Sequence, residues 1–259
     1  MEVLLNSAAG LGVGLLVGAT GVGGGAVMTP LLVLLLGVAP QVAVGTDLVF
    51  ASLTKMFGVA VHGTQGRVDW QVVRRLALGS LPSAAVALAW IRLGGGGPRQ
   101  DVITVALGAV LVLTALVMVG KPALNRVGRR LRIEKPTPFK RYQPALTVLA
   151  GAILGTLVAL TSIGAGALGA VMLVFLYPLR LTPAKLVGTD LAHAIPLALL
   201  AGLGHLLMGN VDLALLGGLL LGSIPGVWIG AHVAGRLPEA ILRLGIACVL
   251  GLVGLKLLG

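Results

Sequence analysis

The sequence predicts an all-α, polytopic membrane protein made of two inverted-topology repeats of about five hydrophobic segments each, with broken or re-entrant helices. Three observations lead there. Of 259 residues 57% are apolar and only 10% charged, with a mean hydropathy of +1.05. A soluble domain carries about a quarter of its residues as charges, and disorder needs low hydrophobicity, so both are excluded. The apolar residues fall into ten runs, and the length allows roughly ten crossings at about 20 residues each, with no room for a soluble catalytic domain. Finally, the second half of the chain repeats the first.

The apolar runs lie near 3–20, 26–37, 42–62, 72–91 and 101–120, then near 144–161, 167–177, 184–208, 213–233 and 240–258. The first run is expected to stay in the fold, because Met-Glu-Val lacks the basic start of a signal peptide and the run continues past any cleavage site. Between the two sets of five stands a basic stretch. Lys121, Arg126, Arg129, Arg130, Arg132, Lys135, Lys140 and Arg141 face one acid, Glu134, giving seven of the eleven net positive charges. The expected organisation is therefore an N-terminal transmembrane repeat (1–120), a basic loop (121–143) and a C-terminal transmembrane repeat (144–259). The positive-inside rule puts this loop in the cytoplasm of a multi-pass membrane protein. Threading outward, the 63–75 and 178–185 connections fall inside and carry Arg67, Arg74, Arg75, Arg180 and Lys185, whereas 38–41 and 209–212, outside, carry no base. Only 92–100, with Arg92 and Arg99, runs against the rule. The basicity thus reports orientation and contact with membrane lipid. Few aromatics interleave with the bases, so no nucleic-acid partner is expected. Trp70, Trp90 and Trp228 fall near segment ends, as interfacial anchors do.

The repeat is collinear. Pro40–Pro82 aligns without gaps on Pro183–Pro225. Val44-Gly-Thr-Asp-Leu48 recurs as Val187–Leu191, His62 meets His205, and Gly79, Ser80 and Pro82 meet Gly222, Ser223 and Pro225. Earlier, at a shift two residues smaller, Thr20-Gly-Val-Gly-Gly-Gly25 meets Thr161-Ser-Ile-Gly-Ala-Gly166. An odd number of segments per half predicts opposite insertion of the halves. Secondary transporters use this plan to show one site to either side of the membrane.

Two segments, 26–37 and 167–177, are too short to span about 30 Å of hydrocarbon as helices, and each follows a glycine cluster. Unwound backbone at membrane depth must line protein or a wet cavity. A half-helix starting there offers free N–H groups and the positive end of its dipole, an anion site without a fixed charge. The competing reading is close helix packing through small residues. The candidate substrate-binding residues are Thr20, Gly21, Gly23, Gly24, Gly25, Thr161, Ser162, Gly164 and Gly166. A nucleotide loop is excluded, since no Lys-Ser/Thr follows the glycines.

Asp47 and Asp190 are ionisable groups at membrane depth, which by default suggests function. With Thr46 and Thr189 they are candidates for coupling or gating, or for capping their own helices. Lys55 follows Asp47 by two helical turns and His62 extends the same face. Lys55 has no counterpart in the second half, where Ala198 stands. His62 and His205 complete the coupling candidates. His193, one turn from Asp190, reads as a packing residue that is also within reach of a relay. Four histidines without Cys or Glu at ligand spacing predict no metal site, and no cofactor is expected.

Gly18-Ala-Thr-Gly-Val-Gly-Gly-Gly25 with Pro30, Ala43-Val-Gly-Thr-Asp47, and His62 with Gly66-x-Val-Asp-Trp70, all echoed in the second half, resemble the sulfite exporter TauE/SafE family. The second copy departs from the family glycine pattern at Ser162 and Ala165. The resemblance covers nearly the whole chain and implies a transporter, not an enzyme. Its cargo would be sulfite, organosulfonates or related small sulfur oxyanions, with export the usual direction. The expected function is a secondary transporter working by alternating access. Alternatives are a sulfate or thiosulfate importer and a passive anion channel. A remote one is an intramembrane aspartyl protease, whose Gly-x-Gly-Asp signature is replaced here by Gly-Thr-Asp47. The small-residue faces leave room for a homodimer.

Overall fold

The structure, a computed structural model, describes residues 2–20, 25–62, 66–93, 100–134, 136–164, 166–233 and 239–259. Ten helices follow one another: α1 (Glu2–Thr20), α2 (Gly25–Leu34), α3 (Pro40–His62), α4 (Trp70–Leu93), α5 (Gln100–Glu134), α6 (Pro136–Thr161), α7 (Ala167–Leu176), α8 (Pro183–Leu207), α9 (Leu213–Val233) and α10 (Glu239–Leu258). No strand occurs among the described residues. Each predicted apolar run corresponds to one helix. Among the described residues, five helices are long and apolar enough to cross a membrane. Large apolar side chains such as Leu78, Val86, Leu116, Leu221 and Leu252 cover the outside. Such a surface is stable only against lipid. Trp70, Trp90 and Trp228 are exposed on it.

The stretch expected as a loop over 121–143 is largely helical. α5 runs on to Glu134 and α6 begins at Pro136. Leu124, Val127 and Leu131 recur at helical spacing and give this extension an apolar stripe. Gly128 lets it approach the backbone of Phe175 at the end of α7. A dense set of positive charges therefore does not break the helix; it clothes the part of α5 that continues beyond the apolar run.

The halves are interlocked, not side by side. α1 packs on α9 and α4 on α6, while α3 meets α8 and α5 meets α10. Equivalent residues make exchanged contacts. Gly10 and Gly14 of α1 lie on the backbone of Leu219 and Ser223 in α9, and Gly151 and Gly155 of α6 lie on Leu76 and Ser80 in α4. A Cβ at any of these four glycines would strike a carbonyl. Here the small-residue explanation is correct: four-residue spacing puts the glycines on one helix face, where they let backbones touch. The start of α3 lies by the end of α8 and the start of α8 by the end of α3, as the contacts Gly45 to Asn210 and Gly188 to Arg67 require. The two equivalent helices therefore run antiparallel at the centre.

Candidate functional site

α2 and α7 have ten residues each, about 15 Å at 1.5 Å per residue, so both are half-length helices. The break before α7 is built by backbone chemistry. Thr161 ends α6; its hydroxyl donates to the Leu157 carbonyl at 2.7 Å and accepts from the Ile163 N–H at 3.2 Å. Ser162 adopts φ 60°, and Gly164 and Gly166 take φ 128° and 137°, values that L side chains avoid. The Gly169 N–H donates to the Gly164 carbonyl at 3.0 Å, which closes the turn into α7. The Ser162 hydroxyl is buried and makes no hydrogen bond to the described residues.

Of the first glycine cluster, Gly21, Gly23 and Gly24 lie outside the described residues. Thr20 closes α1 and Gly25 opens α2; their side-chain positions lie outside the description as well.

α3 and α8 bring the charged residues to this break. Asp47, Lys55 and Asp190 are all buried. Asp47 accepts a hydrogen bond from the Thr29 hydroxyl of α2 and faces Ser162. Asp190 sits against Gly169 in the first turn of α7, where a Cβ would lie 2.5 Å from its Oδ1. Lys55 is close enough to both carboxylates to attract each of them. Asp47 Oδ1 and Asp190 Oδ1 accept no hydrogen bond from the described residues. Four elements (α2, α3, α8 and the α6–α7 break) thus converge on two carboxylates, one ammonium and two hydroxyls.

The capping reading of the aspartates is overturned. Asp47 and Asp190 each lie seven residues inside their helices, and α8 is capped by Thr182, whose side chain accepts from the Lys185 N–H. The neighbouring threonines do a different job, crosswise. Thr46 accepts from the Asp212 N–H at 3.0 Å, and Thr189 accepts from the Asp69 N–H at 3.0 Å. Each buried hydroxyl pins the turn that follows the central helix of the other half. We expect Thr46→Val and Thr189→Val each to lose about 1–3 kcal/mol by orphaning one N–H, with similar falls in thermal midpoint for the two variants.

His205 bonds the Ala159 carbonyl through Nε2 at 2.9 Å. His62 is the last residue of α3; its side chain lies outside the description. His193 bonds Ser80 through Nε2 at 2.8 Å and stands near Lys55, so it forms the wall behind the lysine.

Sequence reasoning missed Thr29 and Gly169. Thr29 had one signal, a hydroxyl inside a short apolar segment next to Pro30. Gly169 had none, because only the fold shows that α8 needs room there.

One end of the α3–α8 pair carries a polar clasp. Arg180 donates to both Asp69 carboxylate oxygens, at 2.6 and 2.9 Å, and to Gln71 at 2.8 Å. Its guanidinium lies 5.8 Å from the ring centre of Tyr177. At the pseudo-equivalent end Asp212 instead caps α9 through Ala214 and Leu215 N–H groups, both at 2.9 Å.

The sequence profile of the family described as Sulfite exporter TauE/SafE matches residues 7–257, all ten helices included. The chain belongs to the TauE/SafE family. A relative from Bacillus subtilis (strain 168), named Probable membrane transporter protein YjnA, is 44% identical over 206 residues, which cover 78% of this chain and 79% of the relative. No solved structure matches. Membership makes this TauE/SafE protein a multi-pass membrane transporter, with the glycine-flanked half-helices and buried aspartates at its centre.

Proposed function

We propose that the protein is a secondary transporter of sulfite or a related small sulfur oxyanion, and that the anion binds at the break between α6 and α7. The observation that carries the reading is the buried Ser162 hydroxyl, which faces Asp47 just before α7, at the positive end of that helix's dipole. An oxyanion suits this set. Its oxygens accept from backbone N–H groups at Gly164–Gly166 and from Ser162, without a fully exposed cation to bind them irreversibly. Thr20 and Gly21–Gly25 would supply the matching half of the site by sequence symmetry. Thr161 serves by holding the turn.

The exchanged contacts of the halves favour alternating access. A two-fold operation across the α3–α8 pair interchanges the halves, and with α3 and α8 crossing the bilayer that operation inverts one half relative to the other. The clasp Asp69–Arg180 ties one end of the pair and, among the described residues, has no ionic equivalent at the other. By the positive-inside rule the basic extension of α5, and with it the clasp, lies on the cytoplasmic side of the inner membrane.

The test is counterflow. Proteoliposomes loaded with unlabelled sulfite should transiently concentrate labelled sulfite, and sulfate, thiosulfate, sulfoacetate and taurine added outside rank by how well they compete. Sulfite flux without transient concentration would mean a channel. Competition by sulfate or thiosulfate above sulfite would move the assignment to those anions, and no response to any of the five would sink the sulfur-oxyanion reading.

A further inference from the structure

We propose that Asp47 is a proton-binding site, and that its proton is carried together with the anion. The inference rests on the anion site of the preceding section and adds a second ligand to it. Two carboxylates and one ammonium are buried together, so the cluster holds one surplus negative charge when all three are ionised. Burying an uncompensated charge is costly, and an anion at Ser162 adds another of the same sign. At a separation of a few ångströms inside a protein, like charges repel strongly. A proton on one carboxylate removes that repulsion.

The geometry selects Asp47. Its carboxylate is bonded by the Thr29 hydroxyl of α2, whereas Asp190 lies against the bare Gly169. Asp47 also faces Ser162, at the proposed anion site. Thr29 and Ser162 can donate to its ionised form or accept from its protonated one. Among the described residues, few other titratable groups surround it. α2 has no titratable residue, α5 has none between Val102 and Gly120, and the His232 of α9 is bonded to the Trp228 carbonyl on the surface. From α8 only Asp190 and His193 face the cluster, with Lys55 from α3 itself. The proton and the anion therefore bind cooperatively, each raising the affinity for the other by the same factor.

Infrared difference spectra of the reconstituted protein, taken between acidic and alkaline pH, read the proton directly and need no substrate. The wild type should show a protonated-carboxyl band that is lost in Asp47→Asn, kept in Asp190→Asn, and shifted in position in Asp47→Glu, which also serves if the amide fails to fold. Persistence of the band in Asp47→Asn, or its loss only in Asp190→Asn, would overturn the assignment. In the same liposomes, a pH dye trapped inside should report proton movement with sulfite in the wild type, and sulfite exchange in Asp47→Asn should lose its pH dependence. Sulfite exchange with no proton movement in the wild type overturns the coupling while leaving the transport reading intact. An Asp47 band with no sulfite flux supports the proton site and removes sulfite instead.

Discussion

Replacing Lys55 by methionine is expected to destabilise the protein by about 3–5 kcal/mol, the loss found when one partner of a buried ion pair is removed. Methionine approximates the length of the lysine stem, so packing is largely kept and charge is the variable. With the ammonium gone, Asp47 and Asp190 remain buried, with an oxygen each that no described residue satisfies. The effect should appear as a large fall in thermal midpoint in detergent, together with loss of flux. A double-mutant cycle then separates pairing from packing. Lys55→Met made in an Asp190→Asn background should cost far less than in the wild type, because the carboxylate that needs the cation is already neutral. Lys55→Met should also cost less in an Asp47→Asn background, and the difference between the two rescues ranks the pairings. Equal costs in all three backgrounds would mean that Lys55 acts through packing alone.

Much of this architecture is legible in the sequence, because a membrane simplifies the reading. Apolar runs must be helices when the solvent satisfies no backbone group, and all ten runs became helices. The glycine clusters predicted breaks for the same reason: runs of ten to twelve residues cannot span hydrocarbon. The matched positions Thr46 and Thr189 of the sequence repeat make matching crosswise bonds. What the sequence hid was partnership at a distance. Asp47 looks like a helix cap when only its neighbours are visible; its partners, Thr29 and Ser162, stand 18 residues before it and 115 after it. The basic stretch misled for a different reason. Charge density marks orientation, but helical continuity through 121–134 depends on an apolar stripe that the charges mask. The asymmetry of the halves was visible as Lys55 against Ala198 and as Ser162 and Ala165 in the second glycine pattern. The structure adds that Asp47 meets the Thr29 hydroxyl whereas Asp190 meets the bare Gly169.

That asymmetry makes Gly164 the most informative position in the break. Gly164 combines φ 128° with a carbonyl that accepts the Gly169 N–H. Gly169 in turn lies against Asp190. A leucine at 164 meets two obstacles. Its backbone conformation is one that L residues rarely adopt, costing on the order of 1–3 kcal/mol. Its Cβ would also lie 3.3 Å from Val158 and 3.6 Å from Leu154, which leaves no room for the rest of the side chain. The turn must therefore open, and with it the N–H groups that the anion would bind. Gly164→Leu is expected to reduce labelled-sulfite counterflow to the level of empty liposomes while the protein remains monodisperse, since the clash is local to the α6–α7 connection. Gly155→Leu is the control for packing alone: it strikes the Ser80 carbonyl in the α4–α6 seam and should lower the yield of folded protein first. Gly164→Ala separates strain from bulk. It keeps the conformational penalty but adds only a methyl group, which crowds the Val158 side chain at 3.3 Å, so counterflow should fall by an intermediate factor. If Gly164→Leu transports sulfite as the wild type does, the anion does not bind at this break, and the converging half-helix must be there to pack.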